Sequence, residues 1–197
     1  MRPLVFVLPH AVVFWVVFLW SFIPERTLVQ RANAESRKAG SKDRGSTQVI
    51  MLIGLITTVA GFGLAYWTQM AIPPVARRLV FYGGTLLLAA GSLLRRLCFR
   101  TLGEYFTGDV RARADQRVVQ EGPYRWVRHP SYTAGMMMHL GIGFALTSWV
   151  SIAFLFGGTI IAYAYRVRVE ERALLAEIGE PYAEFMRTRK RFVPFVI

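Results

Sequence analysis

Apolar residues in this chain come in long unbroken stretches, with no strand-like alternation and no sustained heptad. No Lys, Arg, Asp or Glu occurs between Arg2 and Glu25, between Arg44 and Arg77, or between Arg78 and Arg95. A fourth stretch, Arg128 to Glu170, is broken only by Arg166 and Arg168. About 20 helical residues cross a ~30 Å hydrocarbon core, so runs of this kind predict membrane spans. The first runs from Pro3 to Pro24 and reads as a membrane helix. It is longer than a signal-peptide core and no A-x-A site follows it. The second covers roughly Val49 to Ile72 and stops at Pro73-Pro74. The third covers roughly Leu79 to Leu94 and is closed by Arg95-Arg96, whose side chains can snorkel to the interface.

The last run is too long for one crossing. His129 to Tyr165 holds 37 residues, and a single helix of that length would extend ~55 Å. A hairpin at Thr147-Ser148-Trp149 resolves this, with Trp149 at the interface. The expectation is an all-α polytopic membrane protein of about five transmembrane helices, spans 4 and 5 forming a helical hairpin. Residues 1–94 carry the first three helices and a 24–48 linker. Residues 95–197 form a second unit: a loop, the hairpin and a C-terminal amphipathic helix. Lipid leaves helices as the only practical element outside closed barrels.

Composition agrees. Hydrophobic residues make up 54% of the 197 and the mean hydropathy is +0.36, against roughly 45–50% apolar residues in soluble domains. Clumped as described, this excludes a soluble globular domain, a disordered chain and a coiled coil. One cysteine, Cys98, excludes a disulfide framework and a thiolate metal site. Three histidines, His10, His129 and His139, offer no basis for a histidine-built metal centre.

Charge gives the orientation. Of the 24 Lys and Arg residues, 21 lie in segments 24–48, 95–128 and 166–197. Only Arg2, Arg77 and Arg78 fall on the other side of a five-span arrangement. By the positive-inside rule the N-terminus is outside and the C-terminus cytoplasmic. The net charge of +12 is then a topology signal. It also suits anionic lipid head groups, and no nucleic-acid recognition module accompanies it.

Three clusters carry unusual residue types. The first is Gly122-Pro123-Tyr124-Arg125-Trp126-Val127-Arg128-His129-Pro130-Ser131-Tyr132. Tyr124 and Arg128 share a face if that stretch is helical, and Tyr132, Met136 and His139 continue one face into the fourth span. The second is Arg166-Val167-Arg168-Val169-Glu170-Glu171-Arg172 at the exit of the fifth span, with Arg166 and Glu170 four apart. Leu174, Leu175, Ile178, Tyr182 and Phe185 continue an amphipathic pattern across the Gly179-Glu180-Pro181 bend. The third runs from Arg95 to Phe106. Each also has a plainer reading: an interfacial aromatic belt, a salt-bridged helix end and snorkelling arginines, respectively. Gly61-x-Gly63 and Gly141-x-Gly143 sit inside spans, so no Rossmann site is supported.

The stretch VVQEGPYRWVRHPSYTAG, an apolar hairpin, and then RVRVEERALLAEIGEPYAEFMRTRKRFVPF together resemble the isoprenylcysteine carboxyl methyltransferase family. The resemblance covers roughly residues 95–197. It implies an integral membrane enzyme, S-adenosylmethionine as methyl donor, and a cytoplasmic cofactor pocket. By motif position it implies that Gln116, Arg117, Val118, Val119, Tyr124, His129, Pro130, Ser131, Tyr132 and Glu170 bind the cofactor. It implies that Arg166 meets the substrate carboxylate, with Arg95 a second substrate arginine. Ile178 stands where the family often has Phe, a conservative departure. The partner implied is a lipophilic or prenylated substrate entering from the bilayer. Phospholipid or amine methylation, an NADPH-dependent sterol-type reductase and a non-enzymatic membrane module are the competing functions.

Overall fold

Proline and glycine punctuate the chain where its helices begin and end. A computed structural model describes residues 2–23, 45–103 and 118–193, and six α-helices account for most of them. These are α1 (His10–Ile23), α2 (Ser46–Leu64), α3 (Pro74–Leu102), α4 (Pro130–Ala145), α5 (Trp149–Ile178) and α6 (Glu180–Thr188). No strand occurs among the described residues. Pro74 and Pro130 occupy the first positions of α3 and α4, where a fixed φ is already helical and no N–H is missed. Gly179, at φ 72°, ends α5 and turns the chain into α6. A residue with a Cβ would be strained at this positive φ, which glycine adopts freely.

Successive helices alternate in direction, as contacts at the two ends of the bundle make plain. At one end the Ile72 N–H donates to the Thr147 carbonyl (2.9 Å). The buried Arg77 side chain reaches both the Thr147 hydroxyl (3.2 Å) and the Arg2 carbonyl. At the other end Arg96 donates to the Trp20 carbonyl and lies over its ring, and Arg95 donates to the Ser131 carbonyl (2.8 Å). Arg166 donates to Thr47 there (2.9 Å).

Small residues let the backbones approach closely. A Cβ on Gly141 would lie 2.5 Å from the Leu88 nitrogen, and one on Gly84 would lie 2.6 Å from the Ala145 nitrogen. So α3 and α4 pack backbone to backbone, the arrangement small residues permit between membrane helices. Of the paired glycines of the sequence, Gly61, Gly141 and Gly143 are packing surfaces, whereas Gly63 faces open space. Phe14, Phe81, Leu88, Met138, Ile142, Leu146 and Leu155 fill the core between helices. Outside it the polarity is inverted relative to a soluble protein. Leu52, Leu55, Ile56 and Val59 of α2 and Val75, Leu79, Leu86 and Leu93 of α3 point outward and are exposed. Apolar surface this extensive suits a lipid environment.

Five helices occur where five spans are expected, and residues 146–148 form the expected reversal between α4 and α5. Three boundaries differ. α2 ends at Leu64, not at the Pro73-Pro74 pair, and the chain reaches those prolines through a 3₁₀ turn at Thr68–Met70, because an uncharged run can include the turn that joins two helices. α1 starts at His10, after a short 3₁₀ turn at Leu4–Phe6. α3 does not stop at Arg95-Arg96 but continues to Leu102, because arginines end an apolar run without ending a helix. By length and apolar character, α2 and α5 qualify as membrane spans by themselves; α1 and α4 are shorter, and α3, the expected third span, is long enough but not apolar enough. Most of the 24–48 linker lies outside the described residues.

Candidate functional site

Four stretches of chain meet where α3 ends, α4 begins and α5 passes beyond residue 165. The segment leading into α4 makes a 3₁₀ turn, Gly122–Arg125. Gly122 has φ 52°, and a Cβ there would meet the Thr101 hydroxyl of α3 at 2.9 Å. This presses the turn onto α3 and buries Tyr124. The Tyr124 hydroxyl oxygen is buried and makes no well-formed hydrogen bond among the described residues, although the Ser131 side chain is near enough to favour its ionised form slightly. Burial pushes its phenol well above the usual value, so the group is a protonated donor. A buried unpaired polar group costs roughly 1–3 kcal/mol.

The turn ends at Arg125, so Tyr124 and Arg128 do not share a helical face. Arg128 instead swings toward α5. Tyr132, in the first turn of α4, donates its hydroxyl to Glu170 Oε2 (2.5 Å) and accepts from Arg166 Nε (3.2 Å). Its ring centroid lies 4.9 Å from that of Tyr163. Tyr163 fits only because residue 135 is glycine: a Cβ would lie 2.2 Å from the Tyr163 oxygen. Tyr163, Arg166 and Glu170 are three and four apart, so one stripe of α5 carries all three. Arg95 reaches the same turn from α3, stacked on Phe99 at 5.0 Å and bonded to the Ser131 carbonyl. Two arginines from different helices thus converge on consecutive residues, Ser131 and Tyr132.

The second glutamate faces elsewhere. One residue further along a helix turns a side chain by about 100°, and Glu171 is buried at the centre of an ion cluster. It accepts from Arg128 (Nη2, 2.9 Å), His129 (Nε2, 3.2 Å) and Arg191 (Nη2, 2.8 Å). Burial opposes its ionisation, but His129, Arg191 and Arg128 outweigh that and hold the carboxyl down at about 2. Around this cluster the C-terminal segment is strapped to the α4 entry. The Arg128 and His129 N–H groups donate to the Lys190 and Arg191 carbonyls (2.8 and 2.9 Å). The Thr133 hydroxyl donates to the Phe192 carbonyl (2.8 Å). Arg128 also caps the Met186 and Arg189 carbonyls. α6 packs Tyr182 and Phe185 inward, and both are buried, so its apolar face covers the protein itself.

Of the residues singled out from sequence, Tyr124, Ser131, Tyr132, Arg166, Glu170 and Arg95 come together. Pro130 starts α4. His129 lies beside them, but its ring is buried and engaged with Glu171. Val118 and Val119 are half-buried in the stretch before the turn, whereas Gln116 and Arg117 lie outside the described residues. Sequence reasoning missed Glu171, Arg128, Arg191, Tyr163 and Thr47. Helical spacing gave a signal for Tyr163; nothing local pointed to Thr47 or Arg191. No group of three or more His, Cys, Asp or Glu fit to hold a metal occurs among the described residues.

Comparison with known proteins bears on what this arrangement does. Residues 84–176, from mid-α3 through most of α5, match the model of the isoprenylcysteine carboxyl methyltransferase family. Protein-S-isoprenylcysteine O-methyltransferase B of Arabidopsis thaliana is 30% identical over 116 residues, 57% of this chain and 58% of that one. Protein-S-isoprenylcysteine O-methyltransferase of Saccharomyces cerevisiae is 27% identical over 124 residues, 62% of this chain and 52% of that one. The chain thus spans about half the length of the curated relatives it matches. Among solved structures, the eukaryotic intramembrane Ras methyltransferase superposes with a TM-score of 0.59 at 22% identity. That match covers 74% of this chain and 52% of the other, and it supports the shared helical fold.

Proposed function

We propose that this chain, whose residues 84–176 match the isoprenylcysteine carboxyl methyltransferase family, is a membrane methyltransferase that esterifies the carboxylate of a lipophilic acid. The observation that carries the reading is the convergence of Arg166 and Arg95 on the Ser131-Tyr132 turn, beside Glu170. A carboxylate acceptor is already ionised near neutral pH, so the transfer needs no general base. It needs an anchor, alignment and a dry site. Guanidinium forks supply the anchor, because they match carboxylate geometry.

The amine-methylation alternative needs a base. His129 is its natural candidate. Its ring is buried and its Nε2 is already committed to Glu171, which favours the carboxylate reading.

The residues fit S-adenosylmethionine as donor. When bound, it supplies a methyl group activated on a sulfonium cation. Tyr124 has a buried donor hydroxyl with no well-formed hydrogen bond among the described residues, available for its polar portion. The Glu170 carboxylate and the Tyr132 and Tyr163 rings provide an electron-rich wall for a cation. Ser131 adjoins Tyr132 in this turn; half-buried Val118 and Val119 precede the turn in the chain, with Gln116 and Arg117 just upstream in sequence, and all four are assigned to the donor by motif position alone. His129 and Pro130 act by shaping the turn. Five helices, exposed apolar faces and basic residues gathered at one end support a multi-pass topology, N-terminus outside and site cytoplasmic. The acceptor then enters from the bilayer, its carboxylate meeting Arg166 at the interface.

Thermal stability of the detergent-purified protein with S-adenosylhomocysteine, and separately with NADPH, tests the cofactor. A ligand at 100 times its dissociation constant adds roughly 2.7 kcal/mol. Stabilisation by the first alone is expected, followed by transfer of labelled methyl to a prenylcysteine acid as a product released by mild alkali. Stabilisation by NADPH alone, or a label that survives alkali, overturns the reading.

A further inference from the structure

We propose that Thr47, in the first turn of α2, is a positioning residue that sets the Arg166 guanidinium, so that the N-terminal half of the chain completes the site. The inference rests on the reading of Arg166 as the acceptor anchor. Thr47 lies outside the 84–176 region that matches the family. Arg166 Nη1 donates to the Thr47 hydroxyl at 2.9 Å across 119 residues of sequence.

Three independent contacts fix that meeting. The Ser151 hydroxyl donates to the Gly61 carbonyl (2.8 Å). Leu155 fills the space above Gly61, where a Cβ would come within 2.8 Å of it. Thr57 occupies the space left by Gly158, where a Cβ would lie 2.2 Å from its methyl group. From Ser151 to Arg166, α5 climbs about 22 Å at 1.5 Å per residue. From Gly61 to Thr47, the antiparallel α2 climbs about 21 Å in the same direction. The contacts deep in the bundle therefore deliver Thr47 opposite Arg166 in register.

The consequence is directional. Tyr132 binds Nε of Arg166 and Thr47 binds Nη1. Two partners on separate helices hold the plane of the fork against rotation about the side-chain torsions. A preset fork spares the acceptor the cost of immobilising it.

The test is acceptor kinetics with a prenylcysteine acid in Thr47→Val and Thr47→Ser, alongside S-adenosylhomocysteine affinity by calorimetry. Valine keeps the shape and removes the hydroxyl; serine keeps the hydroxyl. The expected result for Thr47→Val is kcat/KM down about tenfold, mostly in KM, with S-adenosylhomocysteine affinity within about twofold of wild type. Thr47→Ser is expected to recover most of the loss. Unchanged kinetics in Thr47→Val, equal damage in Thr47→Ser, or a parallel loss of S-adenosylhomocysteine affinity overturns the assignment. If the wild-type protein transfers no methyl group, the enzymatic reading falls separately. The contact is then read from thermal stability: the Thr47→Val effect should vanish in an Arg166→Ala background, and equal effects in both backgrounds overturn it.

Discussion

Removing the Glu171 carboxylate tests whether the C-terminal strap is what holds the α4 entry in place. In Glu171→Ala, Arg128 and His129 lose their common acceptor while still buried, with side-chain exposures of 8% and 4%. Arg191 is 44% exposed and can turn to water, so its share is small. Breaking a buried pair by deleting one partner costs about 3–5 kcal/mol. The same cations hold the Glu171 carboxyl at about 2, well below its ordinary value, which is the direction a stabilising cluster requires. A loss of about 3 kcal/mol lowers the melting temperature of a chain this size by roughly 6–12 °C. The assay is thermal unfolding in detergent, with hydrogen exchange on the Arg128 and His129 amides that pair with residues 190 and 191. Exchange there should accelerate far more than in α2. The sign with pH follows from the same group. Its pKa is depressed on folding, so its contribution is complete above about 4.5 and is lost as pH falls toward 2. A Glu171→Ala protein with wild-type melting and unchanged exchange at residues 128 and 129 would refute the reasoning.

Other outcomes follow from single side chains. Tyr124→Phe should change unliganded stability by no more than about 1 kcal/mol, because among the described residues its hydroxyl makes no well-formed hydrogen bond and has only the nearby Ser131 side chain to lose, yet weaken S-adenosylhomocysteine by about tenfold, near 1.4 kcal/mol. Calorimetry checks the affinity; equal binding by both proteins removes Tyr124 from the pocket. Arg166→Ala should abolish transfer to a prenylcysteine acid while Glu170→Ala weakens the cofactor, so the two variants separate acceptor from donor binding in one assay. Gly141→Ala should cost about 1–3 kcal/mol, since its Cβ meets the Leu88 backbone at 2.5 Å. Gly157→Ala, with open space at that position, should be neutral or stabilising in the same melting experiment.

Much of this protein is written locally. Uncharged runs, the length of the 129–165 stretch and the Gly179-Glu180-Pro181 bend placed most of the helices and their reversals, whereas Pro73-Pro74 marks the start of α3 and not the end of α2, which stops at Leu64. Local composition misjudged α3, because Arg95 and Arg96 are tolerated within a helix and need only reach a polar partner at its side. The stripe carrying Arg166 and Glu170 was legible, being a matter of four-residue spacing. So was the motif from Gly122 to Tyr132, although its interior was not: Tyr124 and Arg128 part company because the 3₁₀ turn ends between them.

Tertiary structure alone separated the two glutamates. Adjacent on the chain and identical in type, they differ because Glu170 looks toward Tyr132 whereas Glu171 looks toward a strap that arrives from twenty residues later. It alone brought Thr47 to Arg166 and Tyr163 into the gap at Gly135. The physical reason is one of range. Helix formation, termination and insertion answer to a few neighbouring residues and to the solvent. Which side chains meet is decided by how closely whole helices approach, and here that distance is set by glycines on one helix facing backbone on another.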